Sequence, residues 1–217
     1  MRIPLTHVHL WRIDLATLSS CVDTYFYSLS LVEKQRAKNL KSALLYERFV
    51  LSHGAMREIL SRYLDKSPTE ILLTQDLGGR PKLEDSTSNI DFNLSHSDDK
   101  ALLAVAQGDQ VGVDLEKIRS LKNKLELSAR FFTAPEHQLI QDATEDEQEE
   151  LFFAIWTAKE AHLKARGLSI LGNLQNFSVL PLNVLKPFAG YLGAVSLKNH
   201  PRPEWVWHDF TSQCKNC

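Results

Sequence analysis

Two rhythms of hydrophobic positions run along this chain. In VGVDLEKIR, residues 111–119, apolar Val111, Val113 and Leu115 alternate with Gly112, Asp114 and Glu116. That two-residue period predicts a strand with one apolar face. THVHLWRIDL predicts an opening strand, and IDFNLSHS and KALLAVAQ predict two more. Gly108 and Asp109 are expected to turn KALLAVAQ back into QVGVDLEKI as an antiparallel hairpin. The longer, helical period fills SLVEKQRAKNLKSALLYERFVLSHGAMREILSRYL, which predicts at least two helices. Capping boxes stand at Ser67–Glu70 with Pro68 behind the cap, at Thr133–Glu136 and at Thr144–Glu147. The last opens EDEQEELFFAIWTAKEAHLKAR, whose acidic start suits a helix N-terminus and whose Gly167 suits the C-terminal end. The paired glycines of DLGGRPKL predict a turn, and FSVLPL, GYLGAVSL and EWVWHDF predict short strands near the end.

The order strand, helices, strands, helices, strands predicts an α+β fold. It divides into two similar α/β halves with antiparallel sheets, residues 1–108 and 109–217, with the hinge near Gln107–Gln110. No residue-level repeat accompanies that similarity. The chain carries neither G-x-G-x-x-G nor a Walker loop, so nucleotide-binding folds of those kinds lack support.

Composition narrows the picture. With 217 residues, 43% of them hydrophobic and 24% charged, the chain can build a real core. A formal net charge of −2 argues against non-specific nucleic-acid binding. No apolar run approaches the roughly 18 residues of a membrane span. MRIPLTHVHLWRIDL lacks the long apolar segment of a secretory signal. Three cysteines suggest a reducing, cytoplasmic setting. Cys214 and Cys217 form a lone C-x-x-C without the second pair a zinc site needs, and read as part of a polar tail.

Candidate chemistry begins with Asp114 and Glu116, which share one face of their strand. Paired carboxylates repel unless a cation or proton sits between them, and hard oxygen donors on a rigid element suit Mg²⁺. On its own, D-x-E reads first as a solvated sheet face. In WTAKEAHLK, residues 156–164, Trp156, Glu160 and Lys164 fall on one helix face. Glu160 is a candidate third carboxylate and Lys164 a candidate phosphate contact, with Lys159 next to that face. An ordinary Glu–Lys surface pair has the same spacing. Ser95 and His96 in NLSHS are adjacent, so they point to opposite faces and do not make a nucleophile–base pair. An anion-contacting strand end fits them better, and a hydrogen-bonded structural histidine fits the segment as well. Lys34, Arg36, Lys38, Lys41 and Arg48 form a basic stretch, and Arg80 rides the glycine turn. Together these parts describe a phosphate-rich ligand between a basic N-terminal half and a metal-carrying C-terminal half.

Four motifs in order, GGRPKL, FNLSHS, VGVDLE and WTAKEAHLK, with RFFTAPE between the last two, make the chain resemble the phosphopantetheinyl transferase superfamily. The resemblance is to its monomeric, broad-specificity branch, related to the surfactin synthetase activator, and runs from about Arg48 to Leu171. It implies a pseudo-dimer of two α/β halves with coenzyme A in the cleft between them. It implies Mg²⁺ on Asp114, Glu116 and Glu160. It also implies coenzyme A contacts from Lys34, Arg48, Gly79, Arg80, Pro81, Asn93, Ser95 and His96, shared with Asp114 and Lys164, and Lys159 beside the pyrophosphate. One departure is Ala37, which stands where a second lysine would follow Lys34, flanked by Arg36 and Lys38.

The implied reaction transfers 4′-phosphopantetheine from coenzyme A to a serine of an apo carrier protein, leaving adenosine 3′,5′-bisphosphate. Glu160 is the expected base, directly or through water, and Lys164 the stabiliser of the leaving group. Leu168, Ile170 and Leu171 are expected to meet the carrier or to join the core. Two other readings of the same residues are a Mg²⁺-dependent nuclease and a non-catalytic coenzyme A-binding module.

Overall fold

The computed structural model describes residues 1–5, 7–76, 79–169, 172–200 and 204–214. In chain order, β1 (His7–Asp14) leads through a 3₁₀ turn, Leu15–Cys21, into α1 (Val22–Ser28). Next come α2 (Leu31–Lys38) and α3 (Ala43–Leu64), then the short strands β2 (Leu73–Gln75) and β3 (Pro81–Leu83). β4 (Ile90–Ser97), β5 (Lys100–Gln107) and β6 (Val111–Lys117) come after them. The remainder is α4 (Lys124–Phe131), α5 (Ala134–Asp142), α6 (Glu145–Ala165), β7 (Tyr191–Leu197) and β8 (Glu204–Asp209).

Among the described residues the strands form a four-stranded sheet in the order β4-β5-β1-β8 and two ribbons, β2–β3 and β6–β7. The fold class is therefore α+β, as expected. The predicted hairpin between KALLAVAQ and QVGVDLEKI does not form. Both edges of β5 are taken, by β4 from Ile90↔Gln107 to Ser97↔Lys100 and by β1 from Val8↔Ala106 to Asp14↔Lys100. The chain turns instead between β4 and β5, with Asp98 at φ 52°. β6 starts a second layer, antiparallel to β7. The interior position of β5 explains its unbroken apolar run. Ala101, Leu103 and Val105 face a core under α1 and α3, while Leu102, Ala104 and Ala106 face Val111, Val113 and Leu115 of β6. The proposed boundary at 108/109 falls between the two layers, yet β8 crosses it to lie parallel to β1.

Two further expectations fail locally. Ser67–Glu70 makes half of a capping box: Glu70 accepts the Ser67 N–H at 2.9 Å, but the Glu70 N–H goes to the Ser67 carbonyl at 3.0 Å and only a turn succeeds it. Arg57 takes the carbonyls of Pro68 and Ile71, each at 2.9 Å, and so diverts an acceptor the next helical turn would need. FSVLPL is irregular rather than a strand. The other two boxes open α5 and α6 as predicted, and Gly167, at φ +63°, ends α6.

Candidate active site

Gly112 sets the geometry. A Cβ there would stand 2.1 Å from the Ala161 carbonyl oxygen and 2.3 Å from the Ala165 nitrogen. The room it leaves is filled by the backbone of α6, which presses directly on β6. That contact brings Glu160 and Lys164 from α6 over Asp114 and Glu116 from β6.

Lys164 Nζ donates to Asp114 Oδ1 at 2.6 Å and lies 3.4 Å from Glu160 Oε2. Ser95 Oγ also donates to Asp114 Oδ1, at 2.9 Å. Asp114 is 3% exposed, and its second oxygen, Oδ2, is buried without a partner. Glu116 meets Arg119 at 3.3 Å and Ser97 Oγ at 3.2 Å. Burial and then the charge of Asp114 raise the Glu160 carboxyl to about 7, with Glu116 adding to the shift against Lys164. Burial and Asp114 likewise raise Glu116. Burial works against the Lys164 ammonium, but Asp114 and Glu160 outweigh it and hold its pKa above the ordinary value. The site therefore holds three interacting carboxylates around one lysine. Among the described residues no group of three His, Cys, Asp or Glu side chains has closed to ligating geometry; the Lys164 ammonium bridges Asp114 and Glu160 instead.

The site lies on a seam between the layers, where β4 and β6 run side by side without a backbone ladder. Side chains on one face of β4 replace the ladder: Asp91 Oδ2 accepts from Val111 N at 2.7 Å, Asn93 Oδ1 from Val113 N at 2.8 Å, and Ser97 Oγ from Lys117 N at 3.1 Å. Their two-residue spacing on both strands matches the pleat.

A wall of basic side chains stands on the N-terminal side. His96 is open at the surface, yet the partial loss of water around its ring depresses its pKa, with His53, Arg48, Lys164 and Arg36 adding in that order. His53 Nδ1 is 3.0 Å from Glu33 Oε1, and Arg57 donates twice to Glu33 Oε2. Burial alone would raise Glu33, but these cations hold it down at about 2. A cavity of about 340 Å³ borders this wall, lined by Ser30, Val32, Glu33, Arg36, His53, Leu73, Thr74, Gln75 and Pro81.

The expected residues thus divide. Asp114, Glu116, Glu160, Lys164, Ser95, His96 and Arg48 converge on the seam. Lys159 does not: its fully buried ammonium meets Glu136 Oε2 at 2.8 Å and the Leu174 and Phe177 carbonyls at 2.6 Å each. One residue along a helix turns a side chain by about 100°, which carries Lys159 out of the cleft. Asn93 and Arg80 point their polar atoms at protein partners. Lys34 donates to the Tyr27 carbonyl at 3.0 Å and rides on the Phe26 ring. Gly79 makes the turn before Pro81 at φ +79°. Leu168 is exposed, whereas Gly78, Ile170, Leu171 and Cys217 lie outside the described residues. Ala37 is buried, and Arg36 reaches the cavity. His53 joins the site without having been expected there. The signal is present in the sequence: His53 and Arg57 interrupt the apolar stretch FVLSHGAMREIL, and buried polar groups require partners.

Comparison with known proteins gives the family. A model of the 4′-phosphopantetheinyl transferase superfamily matches residues 110–208. The 4′-phosphopantetheinyl transferase HetI of Nostoc sp. is 37% identical over 162 residues, covering 74% of this chain and 68% of its own length. AcpT of Escherichia coli O157:H7 is 38% identical over 113 residues, 52% of this chain and 56% of its own. Sfp of Bacillus subtilis is 28% identical over 132 residues, 61% and 57%. The matched region spans less than two thirds of these last two relatives. The chain belongs to the 4′-phosphopantetheinyl transferase superfamily, enzymes that move the phosphopantetheine arm of coenzyme A onto the serine of a carrier protein.

Proposed function

We propose that this chain transfers 4′-phosphopantetheine from coenzyme A to the serine hydroxyl of an apo acyl or peptidyl carrier protein, with release of adenosine 3′,5′-bisphosphate. The observation that carries this reading is a juxtaposition at one seam. Three mutually repelling carboxylates face a wall of Arg36, Arg48, His53 and His96. A diphosphate accompanied by a divalent cation satisfies both sides at once.

Asp114, Glu116 and Glu160 would hold Mg²⁺. The fit rests on the orphaned Asp114 Oδ2, the all-oxygen donor set, and two carboxyls raised by a charge excess that a cation relieves. Bound there, Mg²⁺ supplies neutralisation of the charge on the pyrophosphate oxygens. Glu160 would take the serine proton, directly or through water; its raised pKa belongs to the metal-free site and falls where a cation relieves the charge excess. Lys164, kept charged by its carboxylate neighbours, stabilises the departing phosphate. Ser95 orients Asp114, Arg48 and Arg36 attract the remaining phosphates, and the His96 and His53 rings are placed to hydrogen-bond them. The cavity beside β2 and β3 receives the adenosine end, with Gly79 and Pro81 shaping its rim. Leu168 gives an exposed apolar contact for the carrier at 49% exposure.

We also read the protein as a cytoplasmic monomer with no nucleic-acid or membrane role. The net charge is −2, and no helix among the described residues is long and apolar enough to cross a membrane. The test is intact-mass spectrometry of a panel of apo carrier proteins incubated with the chain, coenzyme A and Mg²⁺. One phosphopantetheine gained per carrier is expected. Coenzyme A binding with no gain on any carrier, or Mg²⁺-dependent cleavage of nucleic acid, defeats the reading.

A further inference from the structure

We propose that Arg80 and Asp91 are a positioning pair that fixes the Lys164 turn of α6, rather than contacts to coenzyme A; this rests on the transferase role given to Lys164 above. The backbone of Arg80 is itself pinned, its N–H donating to Asp76 Oδ1 and its carbonyl accepting the Asp76 N–H, both at 3.0 Å. From there the guanidinium reaches three acceptors on two elements. Nη1 donates to the Lys164 carbonyl on α6 at 3.0 Å, and Nη2 donates to the Phe92 carbonyl on β4 at 2.7 Å and to Asp91 Oδ2. The same Asp91 oxygen accepts the Val111 N–H at the start of β6. One planar fork therefore locks together the last turn of the helix that carries Glu160 and Lys164 and the strand that carries Asp114 and Glu116.

Two physical points favour this role. A cation at the C-terminal carbonyls of a helix is held by both hydrogen bonding and the helix dipole. The Arg80 side chain is only 11% exposed and both of its Nη atoms are committed to three protein acceptors; Nε alone is buried without a partner. The consequence for chemistry is leverage. Lys164 is fixed at its backbone by Arg80 and at its ammonium by Asp114. A displacement of about 1 Å at a reacting group costs on the order of 10²-fold in rate. Lysine cannot replace the fork, because an ammonium lacks its planar spread of donors.

The test uses the full chain with Arg80→Ala, Arg80→Lys, Asp91→Asn and the Arg80→Ala/Asp91→Asn double variant. Transfer kinetics are read alongside calorimetric titration of coenzyme A without carrier and amide exchange over residues 161–168. Both Arg80 variants are expected to lower kcat by roughly 10²-fold, with KM and Kd for coenzyme A within about threefold of wild type and faster exchange in the last turn of α6. The double variant should be no worse than Arg80→Ala, since the two residues act as one unit. Should Arg80→Ala fail to fold, Arg80→Lys keeps the charge and decides by the same readings. A tenfold loss of coenzyme A affinity with kcat preserved would make Arg80 a ligand contact and overturn the proposal. Unchanged exchange with unchanged kcat would overturn it as well. A wild-type chain that transfers to no carrier defeats the transferase reading, and the exchange data then still decide whether the pair holds the turn.

Discussion

Lys159 and Glu160 are neighbours on one helix, and their surroundings obey opposite rules. The Lys159 ammonium has three acceptors within 2.8 Å, and Glu136 also accepts backbone N–H groups from Val179 and Thr133. Burial would raise Glu136, but Lys159 and those amides hold it below its ordinary value. Every charge there is answered by protein, and the result is a joint between α5, α6 and the segment around 174–179. Across the helix, Asp114 keeps a buried oxygen without a partner, and Glu160 is raised to about 7. A buried polar cluster that the protein completes holds the fold together; one that it leaves incomplete is built to be completed by something else.

The comparison is tested most severely by Lys159→Ala. Removing one partner of a buried pair strands the other, at a cost of about 3–5 kcal/mol. In a chain of this size that lowers the melting temperature by roughly 10 °C, while the folded fraction keeps its transfer rate. A variant that melts like wild type but no longer transfers would place Lys159 in the chemistry and break the contrast. Glu160→Gln should behave in the reverse sense. It keeps shape and removes a repelling charge, so melting is unchanged or slightly raised. Transfer falls by about 10²–10³-fold, the scale of one acid–base or electrostatic group. Gly112→Ala probes the joint between the two clusters. The added methyl meets helix backbone that cannot rotate away, so a loss of about 1–3 kcal/mol is expected, together with slower transfer as α6 lifts from Asp114.

Much of this contrast is readable in the sequence, and the part that is not has a definite cause. Alternation places Asp114 and Glu116 on one strand face, and helical spacing places Glu160 and Lys164 together; both are short-range periodicities fixed by backbone geometry. Which strand pairs with β6 depends on long-range competition for edges, and KALLAVAQ reads alike whether it has one neighbour or two. The same limit applies to Arg80, Asn93 and Lys159. Their residue types suit a phosphate site, but their partners, Lys164 and Val113 backbone atoms and Glu136, are distant in sequence. The Ser67 box departs from its expected helix for a related reason. Only the Ser67 N–H to Glu70 half of the box forms, and Arg57, reaching across from α3, takes the Pro68 carbonyl.

The smallest expected effect separates the two clusters by pH alone. The folded-state pKa of Glu160, about 7, lies above the 4.5 of the unfolded chain. The stabilisation from binding that proton is therefore fully present below about 4.5 and is lost as pH rises through 7. Glu116 is raised and acts in the same sense. Glu136 is lowered, and so contributes stability that is kept across this range and lost only under more acidic conditions. Without divalent cation the melting temperature should decline by a few degrees between pH 5 and 8. Glu160→Gln should flatten most of that slope, leaving the Glu116 share. Mg²⁺ at a hundred times its Kd should return about 2.7 kcal/mol of stability at pH 8, and less at pH 5, where protons occupy the same oxygens. Differential scanning fluorimetry across that range with and without Mg²⁺ measures all three. A slope that survives Glu160→Gln intact, or a Mg²⁺ effect equal at both pH values, would mean that the seam carries no unanswered charge.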